Sequence, residues 1–291
     1  MICNQCPRQC GALRTEGAGA GACRMPEGAV VARAALHLWE EPPLSGTNGS
    51  GTVFFSGCSL SCVFCQNEEI SQHDLGKPLS LDALRAACQR LIDQGAHNLN
   101  FVNPTHYAHL LIKLLETPFP VPVVWNTGGY ERVETLRALD GKVDIYLPDL
   151  KYLSPALASA CSGAEDYPAY ATAAIREMAR QTGRPVLDEN GLLKKGTVIR
   201  HLILPGQLNE SKKVMDWVAG TFSHGEVLFS LMSQYTPFGR AKSIPGLDRP
   251  LRPSEARAAE EYMAALGLPG FAQEGGAAQE SFIPAFDLSG L

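Results

Sequence analysis

No segment of this sequence approaches the roughly 20 consecutive apolar residues that cross a bilayer, so a membrane protein is not expected. The first residues, Met1-Ile2-Cys3-Asn4, lack the charged stretch and apolar run of a secretory leader. Charge is sparse: 19% of residues are charged, the balance is −5, and no basic run stands out. A nucleic-acid-binding face needs clustered Lys and Arg, so none is expected here. Histidine is scarce, at seven residues, and no histidine-rich ligand set accompanies the cysteines; a zinc hydrolase is therefore disfavoured. An even cysteine count is lacking as well. Nine cysteines without a leader argue for a reducing compartment, the cytoplasm. No internal repeat is visible.

What is present is a chain of 291 residues, 45% hydrophobic, long enough for one large α/β barrel or two ordinary domains. Seven of the cysteines fall within the first 65 residues, in two tight groups, which suits metal ligation better than disulfides. The second group is Cys58-x3-Cys62-x2-Cys65, directly after the β-branched and aromatic run Thr52-Val53-Phe54-Phe55. A loop this short can point three thiolates at one iron-sulfur cube, whose four irons ordinarily take four cysteines. One iron is then left open, as in a catalytic metal site, and the amino-carboxylate of S-adenosylmethionine (SAM) can chelate it. The alternative is a three-cysteine zinc loop with a distant fourth ligand; the spacing and the preceding strand favour the cluster. In these residues the sequence resembles the radical SAM superfamily.

The first cysteine group is Cys3, Cys6, Cys10 and Cys23. Four thiolates match a closed zinc site or a second iron-sulfur cluster equally well. The next segment, Trp39-Glu40-Glu41-Pro42, pairs two glutamates beside a proline. Functional carboxylates are rare, so a solvated loop edge is the expectation there.

From Thr52 onward strand and helix signals alternate. Apolar runs suited to buried parallel strands lie at 52–56, 98–102, 121–125, 143–147, 197–204 and 227–232. Helical periodicity marks 80–95, 105–116, 130–139, 167–182, 209–220 and 254–266. Cys88 and Cys161 fall on packed helix positions. The expected architecture is α/β: an open, partial (β/α)6 TIM-like barrel over 51–244. A cysteine-rich metal-binding extension (1–50) precedes it, and a C-terminal helix with a loosely held tail (245–291) follows.

Active groups of such barrels gather at the C-terminal ends of the strands. Phe64, within the cysteine loop, is placed to lie against an adenine. The second strand ends in Asn103 and Thr105, where the superfamily carries a Gly-Gly-Glu-type motif that this chain lacks; these two residues would supply the polar contacts to SAM. Asn126 and Thr127 follow the third strand. Asp149 and Lys151, two apart, face one side of the fourth strand end and complement an amino-carboxylate. Arg200 is a charge within an apolar strand, fit for bidentate recognition of a carboxylate. Gln234 and Tyr235 follow the sixth strand; they either close the site or touch substrate, or they are ordinary core and loop residues.

Cys65-Gln66-Asn67, Asn126-Thr127, Asp149-x-Lys151 and Arg200-x4-Pro205-Gly206 together resemble the activating enzymes of glycyl radical enzymes, the group of pyruvate formate-lyase activating enzyme. The Cys-Pro-Arg-x-Cys segment, Trp39-Glu40-Glu41-Pro42 and Ser233-Gln234-Tyr235 resemble its less characterised, activating-enzyme-like members. The resemblance implies reductive cleavage of SAM at a [4Fe-4S] cluster to a 5′-deoxyadenosyl radical, which abstracts hydrogen from a substrate. It also implies a flavodoxin- or ferredoxin-type electron donor and, as substrate, a glycine of a glycyl radical enzyme. A monovalent cation beside the SAM carboxylate would be held by Asn126, Thr127, the Leu147 backbone and Asp149; the family pattern has Asp where this chain has Asn126. Two alternatives stand: radical modification of a small molecule or peptide, and a non-catalytic cysteine-rich metal or redox binding protein.

Overall fold

The computed structural model describes residues 2–17, 19–272 and 284–291. Its strands are β1 (Ala29–His37), β2 (Ser50–Phe55), β3 (Lys77–Leu79), β4 (Leu99–Val102), β5 (Val123–Thr127), β6 (Ile145–Pro148), β7 (Val186–Leu187), β8 (Leu193–Leu202), β9 (Leu228–Met232) and β10 (Gly270–Ala272). The helices are α1 (Pro42–Ser45), α2 (Glu68–Gln72), α3 (Leu81–Asp93), α4 (Ala108–Leu114), α5 (Val133–Arg137), α6 (Pro155–Ser162), α7 (Tyr167–Thr182), α8 (Leu208–Thr221) and α9 (Pro253–Ala265).

The frame is the parallel series β2-β4-β5-β6-β8-β9, the six apolar runs of the sequence in chain order. Helices α3, α4, α5, α7 and α8 lie between them, in the helical segments read from periodicity. Ser80 caps α3, its Oγ accepting the Ala83 N–H at 3.1 Å. Cys88 and Cys161 are buried in α3 and α6, as their positions predict. The sheet does not close, since its path ends at β10 on one side and β3 on the other. This is the open partial barrel expected.

The segments flanking the parallel series join its sheet. β1 runs antiparallel to β2, with Val31 opposite Phe55 and His37 opposite Ser50. After β1 the chain turns into α1, whose Leu44 is fully buried among Val124, Ile145, Leu147, Leu193 and Val198. A short helix thus plugs the interior of the barrel, and the Glu40-Glu41 step enters with it. At the other end, β10 adds a further parallel strand beside β9. Residues 284–291 are not loosely held. The Ala34 N–H donates to Ser289 O at 3.0 Å, Arg90 donates to Gly290 O at 2.8 Å, and Phe286 meets Phe54 edge-on at 5.4 Å. The low-complexity link Glu274 to Ala278 lies outside the described residues.

The N-terminal segment closes on itself through an Ile2–Leu13 bridge and a Cys3 N–H to Ala12 O bond of 2.9 Å. Arg14 anchors it to the barrel. This buried guanidinium donates to the carbonyls of Pro26 and His106 and lies 5.2 Å from the Tyr107 ring.

Candidate active site

The loop between β2 and α2 carries Cys58, Cys62 and Cys65, all part-buried. It leaves the strand at Gly57 with φ of +79°, where a Cβ would strike Met25 and the Cys23 carbonyl; only glycine fits. Each sulfur has a described neighbour. The Leu60 N–H donates to Cys58 Sγ at 3.3 Å, Ser162 Oγ lies 3.0 Å from Cys62 Sγ, and Ser71 Oγ lies 3.3 Å from Cys65 Sγ. Burial pushes the Cys58 thiol up to about 12 and the Cys65 thiol to about 11, and the neighbouring cysteines add to both. Thiols that resist ionisation together are relieved by a shared cationic centre, which binds thiolates and expels their protons.

Among the described residues, no three His, Cys, Asp or Glu side chains converge tightly enough to enclose a single metal ion. A four-iron cube makes a different demand, because each thiolate meets its own iron. The donor set here, three mutually coupled thiols on one loop, fits that demand. The N-terminal cysteines are likewise not drawn into a group around a single ion. Cys3, Cys6 and Cys23 are buried, while Cys10 is exposed. Burial lifts Cys6 to about 12, with Cys23 and Cys3 adding to it. At Cys10 burial acts upward too, but backbone N–H groups of Ala12 and Ala22, with Arg14 nearby, outweigh it and the net shift is down.

A ladder of alternating charge stands beside the cluster loop. Lys151 Nζ donates to Asp149 Oδ2 at 2.6 Å, and Arg200 Nε donates to Asp149 Oδ1 at 2.9 Å. Arg200 continues to Asn126 Oδ1 at 2.7 Å and lies 3.7 Å from Glu40 Oε2, while Asn126 Nδ2 donates to Glu40 Oε1 at 3.2 Å. Burial works against the Asp149 carboxylate, yet Arg200 and Lys151 overcome it and hold its pKa below the ordinary value. Lys151 also feels Cys62, and its pKa is raised despite burial. Backbone geometry fixes the rungs. Tyr167 OH accepts the Lys151 N–H at 3.0 Å and lies 2.7 Å from Asp149 O, and Gly129, at φ of +80°, leaves room for both.

Loop and ladder open into one cavity of about 910 Å³, lined by Cys62, Cys65, Phe64, Asn126, Asp149, Lys151 and Arg200 among others. That is the upper end of the range for small-molecule and cofactor sites. Phe64 is wedged edge-on between Tyr152 and Tyr235. Gln234 lines the same cavity, and its Oε1 has no hydrogen-bond partner among the described residues.

Other residues named from the sequence are engaged within the protein. Thr105 and Thr127 do not face the cavity: both hydroxyls donate to Glu131 Oε1, at 2.6 and 2.7 Å, beside a 3.1 Å bond from Trp125 Nε1. Asn103 is bound to the loop instead of presented to a ligand. It adopts φ of +57°, donates to Gly57 O, and places Oδ1 3.6 Å from Cys58 Sγ. Tyr235 is 1% exposed and donates to Leu247 O at 2.7 Å, so it is a core residue. The monovalent-cation set of Asn126, Thr127, Leu147 and Asp149 is likewise committed, Thr127 to Glu131 and both Asp149 oxygens to Arg200 and Lys151.

Residues 45–146, which include the three-cysteine loop, match the model of a 4Fe-4S single cluster domain. The uncharacterized protein MJ0674 of Methanocaldococcus jannaschii is 30% identical over 272 residues, covering 89% of this chain and 73% of that protein. This chain belongs to the MJ0674 family. Among solved structures, Streptococcus suis SuiB bound to S-adenosylmethionine superposes with a TM-score of 0.51 at 14% identity, over 75% of this chain and 48% of SuiB. SuiB bound to its precursor peptide SuiA gives 0.51 at 15% identity, over 75% and 46%. The MJ0674-family chain thus spans about half the length of SuiB and shares its partial-barrel fold. Glu40 and Glu41, which the sequence places on a solvated edge, line the cavity of this MJ0674-family member, with Glu40 in contact with Arg200. The signal available was Pro42-Pro43, which fixes a helix start and turns the preceding residues inward.

Proposed function

We propose that this chain is a radical SAM enzyme acting on a segment of polypeptide. The observation that carries the reading is the opening of a three-cysteine loop and a charged ladder into one cavity. Cys58, Cys62 and Cys65 would hold a [4Fe-4S] cluster. Bound there with SAM, that cluster supplies the electron that yields methionine and a 5′-deoxyadenosyl radical. The residues of the chain bind and orient. Lys151, with one described partner in Asp149, has N–H capacity left for a carboxylate, whereas Arg200 is engaged by Asp149, Asn126 and Glu40 and orders them. Phe64 offers an apolar face for the adenine, and its aromatic neighbours exclude water. No side chain is required as a general base.

A polypeptide substrate is favoured by the mouth of the cavity. Leu38 and Trp39 line it with 53% and 59% of their surface exposed, and a precursor peptide binds SuiB. The narrower form, activation of a glycine in a glycyl radical enzyme with electrons from a flavodoxin or ferredoxin, follows from the motif resemblance. The N-terminal cysteines would hold zinc or a second cluster.

Anaerobic reconstitution followed by iron and sulfide counts, EPR and a SAM-cleavage assay tests this. Near four irons and reductant-dependent 5′-deoxyadenosine are expected. A count near eight would assign a second cluster to Cys3, Cys6, Cys10 and Cys23. Wild type indistinguishable from a variant with Cys58, Cys62 and Cys65 all changed to Ala would sink the reading.

A further inference from the structure

Two serines stand against two of the three loop sulfurs, and neither belongs to the cysteine motif. Ser162 ends α6 and is fully buried; its Oγ lies 3.0 Å from Cys62 Sγ and 3.0 Å from the hydroxyl of Tyr152, itself fully buried. Ser71 lies within α2, 8% exposed, with Oγ 3.3 Å from Cys65 Sγ. In the free thiol form either atom of each pair can donate. A cysteine that ligates iron has no proton, so the direction is then forced: serine O–H to sulfur. The Ser162 oxygen must in turn accept from Tyr152 O–H, and a donor that also accepts is polarised and strengthened. Cys58 already receives the Leu60 N–H at 3.3 Å. Each loop sulfur therefore has a donor: the Leu60 N–H at Cys58, Ser162 at Cys62, and Ser71 together with the Asn67 N–H at Cys65.

Hydrogen bonds to cluster sulfurs are among the features that set reduction potential. They stabilise the more negative, reduced form more than the oxidised one. We infer that Ser162, relayed by Tyr152, and Ser71 are positioning residues that make the cluster easier to reduce. This rests on the assignment of Cys58, Cys62 and Cys65 as cluster ligands. The geometry around Ser162 is braced from outside: Arg8 donates to the carbonyls of Ser59, Ser162 and Gly163 at 2.9, 3.4 and 2.7 Å, fixing the loop and the end of α6 to each other.

The test is an EPR-monitored redox titration of the reconstituted full chain, with iron and sulfide counted in every sample. Ser162→Ala and Ser71→Ala should each move the midpoint potential to more negative values. At a fixed poise near the wild-type midpoint, the reduced-to-oxidised ratio should fall at least about threefold for one lost hydrogen bond. Tyr152→Phe should shift the midpoint the same way by less, and Ser162→Thr, which keeps the hydroxyl, should restore it. Midpoints unchanged in both Ala variants at full iron content, or moved to more positive values, would overturn the inference. Should Ser162→Ala fail to retain iron, Tyr152→Phe and Ser71→Ala carry the same comparison. A wild type that takes up no cluster refutes the ligand assignment instead, and is recognised by its iron count alone.

Discussion

Glu131 shows how a side chain outside the cavity can govern its walls. It is fully buried, and its Oε1 receives Thr105, Thr127 and Trp125, which lie on or beside the strand ends β4 and β5. Burial pushes its carboxyl pKa up, and the three donors pull against that. Glu131→Ala would leave Trp125 Nε1 and one of the two threonine hydroxyls, which lie 3.3 Å apart, without an acceptor, so a loss of about 3 kcal/mol in a denaturant unfolding series is expected. Glu131→Gln keeps an acceptor oxygen and should lose less. Within the cavity, Lys151→Ala should weaken SAM binding to the reconstituted protein by about tenfold, the scale of one charge-assisted hydrogen bond, with iron content unchanged. Calorimetric titration with SAM measures it. At this scale the sequence was informative about types and poor about partners. Strand spacing puts Asp149 and Lys151 on one side, but it does not announce that Asp149 bonds to Lys151 and to Arg200 of another strand. Thr105 and Thr127 looked equally suitable, and nothing local announces that Glu131, four residues beyond one and 26 beyond the other, takes both hydroxyls.

The elements were legible in proportion to their length and period. Helix α7 spans Tyr167–Thr182, the segment its periodicity marks, and all six parallel strands sit on apolar runs. Strand β1, Ala29–His37, was missed because its alanines carry little β signal, and β10 because three residues hold no pattern. Helix α1 has four residues and acts through one of them. Leu44→Ala opens a space inside the barrel and should cost about 2–5 kcal/mol of unfolding free energy. Two buried histidines add a pH dependence. Burial lowers His106 to about 3 and His201 to about 4, below the ordinary value near 6.5. The folded state therefore refuses protons that the unfolded chain accepts, so stability present above about pH 6.5 is lost as the pH falls toward 4. Thermal melts across that window should show it, and replacing either histidine with an uncharged residue of like shape should flatten the slope.

On the scale of the whole molecule, residues 284–291 return to β1. Removing residues 284–291 strips β1 of the Ser289 carbonyl and the Asp287 contact to Arg33, and β2 of the Phe286 ring against Phe54. A truncated chain should melt several degrees lower than the full one, and should expose Phe54, which lines the cavity. Among the described residues no helix is long and apolar enough to cross a membrane. The N-terminal cysteine segment reaches the cluster loop through Arg8, Met25 and the Cys23 carbonyl, so metal content there should alter the order of the loop.

The closure of residues 284–291 over β1 also sets a timetable for biogenesis. A ribosome releases the three-cysteine loop long before it releases the residues that cover its neighbouring strand. During that interval the thiols face solvent beside an uncovered sheet edge, exposed to oxidation and to stray metals. Iron delivered after synthesis ends meets a finished frame; iron delivered earlier meets an unfinished one. The same contact decides where an affinity tag belongs, because an extension at Leu291 would sit against the first strand of the barrel.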